Sequence, residues 1–439
     1  MNKKKDIVPK LRFPGFEENW KIESLSKVYD LKITNSFSRD KLNYKDGKVK
    51  NIHYGDIHTK FSTLFNITRE DVPYINKDIS IEKIDKANFC QEGDIVIADA
   101  SEDIDDIGKS IEIVNINKEK VLAGLHTFLA RRIDSNPVIG YGGYLFKSNA
   151  IREQIKREAQ GAKVLGISKG RISNIKLCYP NSPKEQQKIA NCLSSLDEVI
   201  TTETEKLELL QDHKKGLLQQ LFPQEGETQP KYRFPEFKND GDWEIDTFSK
   251  FIKLYRGSSP RPINQFLTKD QDGVNWIKIG DTKKAKGFKI SEVEEKITVL
   301  GSKKSRKVKK GELILANSMS YGATYELELE GCIYDGWFVL REFEDSYDRG
   351  FLIQLLNSNY LQNQYKQLAA GGIVQNISSE IVYATLLPIF SKKEQQKIAV
   401  CLSTVDKLIA AQTQKIEQLQ DHKKGLLQQL FPSLNELAV

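Results

Sequence analysis

Residues 182–223 read SPKEQQKIANCLSSLDEVITTETEKLELLQDHKKGLLQQLFP, and residues 391–432 return as SKKEQQKIAVCLSTVDKLIAAQTQKIEQLQDHKKGLLQQLFP. The copies align without a gap at an offset of 209, and 30 of the 42 positions are identical. A repeat of this length dictates the architecture. In the first copy Ile189, Leu193, Leu196, Ile200, Leu207, Leu210, Leu217 and Leu221 recur in alternating steps of four and three, with Glu203 and Lys214 filling the gaps. The second keeps the stripe as Ile398, Leu402, Val405, Ile409, Ile416, Leu419, Leu426 and Leu430, with Gln412 and Lys423 in the gaps. A 3.5-residue period held this long marks a coiled-coil seam, because a lone surface helix drifts off it. Ser182 before Pro183, with Glu185 three residues after the serine, suits a helix start. Phe222-Pro223 and Phe431-Pro432 end the helices. About 39 residues at 1.5 Å each give a rod of roughly 58 Å.

The polar gaps indicate how the copies pair. In parallel register Lys214 would face Lys423 and bury two like charges. Antiparallel pairing instead sets Glu203 against Lys423, Lys214 against Gln412 and Leu207 against Leu419. The antiparallel pair is expected.

A length of 439 residues allows about three domains and ample core. No apolar run approaches the length of about 18 residues that a membrane helix needs. The opening MNKKK has no apolar stretch of the secretory kind. Five scattered cysteines without a Cys-x-x-Cys fit a reduced, cytoplasmic protein without structural zinc. A net charge of +6 permits an anionic partner without requiring one.

Outside the helices a second motif repeats. KLRFPGF at 10–16, followed by Trp20, returns as KYRFPEF at 231–237, followed by Trp243, after the polar linker QEGETQP. The boundaries read as a globular domain at 1–180, a helix at 181–229, a second domain at 230–389 and a second helix at 390–439. Fainter parallels run inside the domains. YGDI at 54–57 matches IGDT at 279–282, read as strand edges; GDIVIA at 93–98 matches GELILA at 311–316, each a buried strand. Loops at 99–101 and 317–322, helices at about 149–159 and 359–370, and glycine loops at 161–166 and 371–375 follow in the same order. The fold class is α+β, a mixed α/β pair of domains separated by two long helices in an antiparallel coiled coil, with pseudo-two-fold repetition. Near-identical helices suit two equivalent contacts with one kind of partner, and divergent domains suit two different ligands.

Enzymatic signatures are missing. The sequence has no Gly-x4-Gly-Lys-Ser/Thr loop, no Gly-x-Gly-x-x-Gly after a strand, and no Asn/Asp-Pro-Pro-aromatic motif. His53 and His58 lie five apart without a third ligand. Asp99, Glu102, Asp103, Asp105 and Asp106 read as a solvated acidic loop, with a cation site as the alternative.

The Glu-Gln-Gln-Lys-Ile-Ala heads at 185–190 and 394–399, the Leu-x-x-x-Asp-x-x-Ile lattice behind them and the ordering of each domain resemble the specificity subunit of type I restriction–modification enzymes, over essentially the whole chain. The resemblance implies two target-recognition domains, each reading one half of a bipartite DNA sequence, with the helices as an antiparallel spacer. It implies no catalysis by this chain and no cofactor in it, S-adenosylmethionine, ATP and Mg belonging to partner subunits. The partners implied are double-stranded DNA, two copies of an adenine methyltransferase subunit and, through them, restriction/translocase subunits, in phage defence.

By the same resemblance, DNA-facing residues in the first domain are Thr34, Asn35, Ser36, Ser38, Arg39, Asp56, His58, Thr59, Lys60, Ser101 and Lys163. In the second they are Arg256, Ser258, Ser259, Arg261, Asp281, Thr282, Lys283, Asn317, Ser318, Ser320, Tyr321, Gly372 and Gln375. Lysine and arginine supply affinity for phosphates, and polar side chains on loops supply sequence choice. Arg39 and Arg261 read either as base or phosphate contacts or as structural salt bridges. The run Lys303, Lys304, Arg306, Lys307, Lys309 and Lys310 reads either as a backbone track or as a solvated turn. Glu185 with Lys188, and Glu394 with Lys397, are expected on exposed faces that dock the methyltransferase. Two rival readings are a coiled-coil adaptor with protein-binding domains and no DNA contact, and a nuclease built on the acidic loop near Asp103.

Overall fold

The computed structural model of the chain describes residues 8–224, 226–318, 322–369 and 376–433. It divides into two compact units, Met1–Thr202 with Ile416–Val439, and Glu203–Lys415.

In the first unit the strand Ile95–Ala98 is buried at all four positions, which explains its unbroken apolar sequence. It lies inside a five-stranded sheet ordered Tyr29–Lys32, Thr127–Arg132, Ile95–Ala98, Ser110–Asn115, Leu64–Asn66. Side chains alternate across that strand. Ile95 and Ile97 enter a core with Tyr144, Leu145 and Ile155. Val96 and Ala98 enter another with Ile52, Ile111 and Val121. Helices therefore cover one face, and a smaller sheet containing Lys50–Ile52 and Val121–Ala123 belongs to the other. The second unit repeats this scheme around Leu313–Ala316, with Leu313 and Leu315 facing one core and Ile314 and Ala316 the other.

The long helices run Pro183–Leu221 and Lys392–Leu430, 39 residues each. Their periodicity holds: Ile189, Leu193, Ile398, Leu402, Val405, Gln412, Ile416 and Leu430 are buried. The pairing is antiparallel within each unit. In the first, Ile189 and Leu193 share a core with Leu430 and Phe431. In the second, Leu221 and Phe222 share one with Ile398 and Leu402. Each helix tail thus completes a globular core: Phe431 packs edge-on against Trp20 at 6.3 Å, and Phe222 lies 5.7 Å from Phe351.

The register differs from the one expected. Lys423 pairs with Asp197, six positions before Glu203, and Lys214 pairs with Asp406 at 2.6 Å, six positions before Gln412. Gln412 instead donates to the Glu203 carboxylate at 2.7 Å and to its carbonyl at 2.8 Å. The cause is physical: an apolar stripe repeating every heptad is satisfied equally after a slip of about one heptad, so it cannot choose a register. Flanking acids choose it. Lys214 and Lys423 sit in the seam with their stems covered and their ammonium groups turned out to Asp406 and Asp197.

Two further expectations change. The Gly-Asp pairs are not strand edges: each lies in a short helical segment directly after a strand, Tyr54–Thr59 and Ile279–Lys284. Glu185 and Glu394 are not on an exposed face; both are 1% exposed. Glu185 accepts from Arg12 at 2.8 and 2.9 Å and from Trp20 Nε1 at 3.2 Å. Glu394 accepts from Arg233 twice at 2.8 Å and from Trp243 Nε1 at 3.3 Å. The neighbouring glutamines are buried too. Gln186 accepts from Val138 N and donates to Pro180 O, while Gln395 accepts from Asp348 N and donates to Phe390 O. The two repeated motifs are therefore two sides of one clasp that fastens each helix head to its own domain. Lys188 and Lys397 remain exposed beside Phe13 and Phe234.

Candidate nucleic-acid interface

In each domain the segment after the buried central strand meets the segment that follows the glycine loop. In the first, Ile167 N donates to Asp99 O at 3.0 Å, and Ala100–Ser101 pairs with Leu165–Gly166. In the second, Ile377 N donates to Asn317 O at 2.7 Å, and Ser318 bridges Asn376. The second frame borders an open cleft of about 410 Å³ lined by Arg256, Asn317, Asn376, Ser378, Glu380 and Tyr383. Arg256 and Asn317 are thereby brought to one place.

The remaining residues of the second domain divide. Asn317 is buried and donates to Asp335 O at 3.0 Å. Ser259 donates to Asp335 Oδ1 at 2.5 Å, and this bond holds the Asp335 carboxyl below its ordinary range. Ser258 donates to Lys304 O at 3.4 Å, and Ser318 shares a hydrogen bond with Tyr334 at 3.3 Å. Arg256, Arg261 and Lys283 are exposed. Asp281 turns inward: it accepts from Lys278 N at 2.8 Å and Glu294 N at 3.0 Å, because a buried carboxylate must take up donors. Thr282 bonds Ile279 O at 2.7 Å. Ser320, Tyr321, Gly372 and Gln375 lie outside the described residues. A second open groove, about 490 Å³, is lined by Lys303, Arg306, Lys307, Lys309 and Arg341. Four of the six residues of the basic run therefore line one wall, with Arg306 and Arg341 both set over the Tyr255 ring at 5.6 and 5.5 Å.

In the first domain Asp56 is buried like Asp281 and accepts from Arg39 at 2.7 and 3.0 Å. Arg39 forms this salt bridge while its side chain stays 46% exposed. Thr34 donates to Thr127 O at 3.0 Å, and Asn35 donates to Asn51 at 2.6 Å and to Ala123 O at 2.9 Å. Ser38 bonds Asp40, Thr59 bonds Gly55 O at 2.9 Å, and buried Ser101 accepts from Asp103 N at 3.1 Å. Ser36, Lys60 and Lys163 are exposed, with Lys60 donating to Tyr44 at 3.0 Å. His58 bonds Ala100 O at 3.1 Å.

Three of the five histidines surround one ring: Tyr54 lies 4.7 Å from His53, 5.9 Å from His58 and 5.4 Å from His126. Burial and the charge of Arg39 push the His53 imidazole below its ordinary pKa. Burial raises the Asp99 carboxyl against the opposing pull of His126, which lies 3.3 Å away. His126 and Tyr54 were missed by sequence reasoning, since a lone histidine after an apolar strand carries no periodic signal. Among the described residues no group of three or more His, Cys, Asp or Glu could hold a metal ion, and no helix is long and apolar enough to cross a membrane.

The family model described as "Type I restriction modification DNA specificity domain" matches residues 17–212 and 241–421. The specificity subunit of the type I restriction enzyme MjaVIII of Methanocaldococcus jannaschii is 26% identical over 307 residues, spanning 66% of this chain and 69% of that protein. The S subunit of a type I restriction-modification system from M. genitalium has the same fold, with TM-score 0.56, 14% identity, and coverage of 97% of this chain and 100% of that one. A chain from a structure describing complex assembly and conformational transition of the type I R-M system gives TM-score 0.59 at 14% identity, with the same coverage. With two copies of the specificity domain covering most of its length, the chain belongs to the type I restriction-modification DNA specificity family, as a non-catalytic subunit of DNA target recognition.

Proposed function

We propose that this chain reads a bipartite, asymmetric DNA target, one half through each globular domain, and recruits two adenine methyltransferase subunits and through them restriction/translocase subunits. The observation that carries the reading is the repeated frame. Both domains join the segment after the central strand to the segment after the glycine loop, and they fill that frame with different polar side chains, Asp99 in one and Asn317 in the other. One scaffold with two chemistries suits two different half-sites. Arg256 and the wall from Lys303 to Lys309 suit phosphates, which position a duplex without specifying it. S-adenosylmethionine, ATP and Mg belong to the partner subunits, and the complex works in the cytoplasm. The exposed ends of the helix heads, around Lys188 and Lys397, are the surfaces for the methyltransferase.

The competing adaptor reading has no use for a basic wall. Titrating the full-length chain with a mixed-sequence duplex separates the two. Released counterions should make affinity fall about a thousandfold between roughly 50 and 200 mM salt if some six phosphates are engaged. Absence of duplex binding at low salt would favour the adaptor.

A further inference from the structure

The three residues that lead from a strand of the other sheet into a neighbour of the central strand are Gly124, Leu125 and His126 in the first domain and Tyr334, Asp335 and Gly336 in the second. They link Val121–Ala123 to Thr127–Arg132 and Gly331–Ile333 to Trp337–Arg341. The same two backbone hydrogen bonds anchor both turns, and only the first puts its third residue in the left-handed region. Gly124 N donates to Ile52 O at 2.9 Å and Tyr334 N to Ile277 O at 3.4 Å; Asp99 N donates to His126 O at 3.0 Å and Asn317 N to Gly336 O at 2.9 Å. The side chains are exchanged. Each domain places one polar ring on this turn, at its third residue in the first domain and at its first residue in the second.

Space enforces the exchange. A side chain at Gly124 would strike Asn51, and one at Gly336 would strike the Tyr334 hydroxyl. His126 also bears a backbone cost. Its φ of 55° lies in the left-handed region, where a residue with a Cβ is disfavoured and where persistence marks functional turns. Its ring is not a core ring: the side chain is 51% exposed, with Asp99 at 3.3 Å and Tyr54 edge-on at 5.4 Å. Tyr334 is half-buried, and its hydroxyl meets Ser318 at 3.3 Å, beside the frame that holds Asn317. A strained, half-exposed imidazole and a phenol whose hydroxyl meets Ser318 differ in donors and acceptors, as two rings reading different base edges must.

We infer that this turn carries a specificity-determining ring in each domain, His126 for one half-site and Tyr334 for the other, with bases of double-stranded DNA as the ligand. The inference rests on the function proposed above and names the residues that distinguish its two halves.

The test uses the full-length chain co-expressed with an adenine methyltransferase, with single-molecule sequencing of methylated host DNA as readout. His126→Gly removes the ring and relieves the backbone, so it should melt no lower than the parent. Methylation should become degenerate in one half of the motif, or fall about tenfold there, the size of one lost base contact. Tyr334→Ala should do the same to the other half, and Tyr334→Phe, which keeps the packing, should separate loss of the hydroxyl from loss of fold. Unchanged motifs and methylation within about twofold in His126→Gly and Tyr334→Phe would overturn the inference while leaving the subunit's function intact. A parent chain that directs no methylation would overturn both.

Discussion

A carboxyl group that loses nearly all its water must be met by donors, and Glu185 has three: two from Arg12 and one from Trp20. Glu394 has the same three from Arg233 and Trp243. Both motifs that build this clasp were legible as repeats, but their meeting was not. A charged hexapeptide at a helix head looks like a docking face until it is known that the arginine and tryptophan of the other motif close over it. Sequence spacing carries no information about a contact 173 residues apart. Glu185→Ala should therefore destabilise the first unit by about 1–3 kcal/mol, the cost of leaving the buried Trp20 indole without an acceptor and the part-buried Arg12 guanidinium with only Glu18 O. Glu394→Ala should do the same to the second. Thermal unfolding of the full chain would check this, and a loss under about 1 kcal/mol would place the motif's role at a partner surface after all.

At the scale of the helices, the heptad stripe was legible because burial at every third or fourth residue is a property of one helix alone. The antiparallel sense was legible as well, from the two lysines that parallel pairing would bury together. The register was not. Asp197 and Asp406 flank the seam, so a reading of the seam overlooks them, yet each joins three elements. Asp197 accepts from Tyr144 at 2.7 Å and pairs with Lys423; Asp406 accepts from Gln354 at 2.8 Å and pairs with Lys214 at 2.6 Å. The acid thus fixes the neighbouring helix and the domain together. Asp197→Lys and Lys423→Asp should each destabilise the chain, and the double exchange should recover about 0.5–1 kcal/mol, as expected for a partly exposed ion pair. A coupling indistinguishable from zero, measured by a double-mutant cycle, would contradict the observed register.

For the whole molecule, the order of domains and helices was readable because a duplicated chain is its own comparison: positions that stay alike are held by the shared frame, and those that differ are free to meet different ligands. The candidate interface was readable only in part. Arg256 and Asn317, which the family resemblance put on separate DNA-facing loops, line one cleft, whereas Asp56 and Asp281 turn into the fold and the rings of His126 and Tyr334 lie on a turn with no motif. Burial decides which polar residue of a loop is scaffold and which is free, and burial is set by the sheet behind the loop. The claim that unites these observations is that each domain reads its own half-site. Its most direct measurement is the methylome of cells expressing the chain with an adenine methyltransferase subunit, read by single-molecule sequencing. A single two-part motif, with methyladenine in both halves and a fixed unread spacer between them, is the predicted result. A stable complex that leaves the DNA unmethylated, or a motif without a spacer, would contradict it.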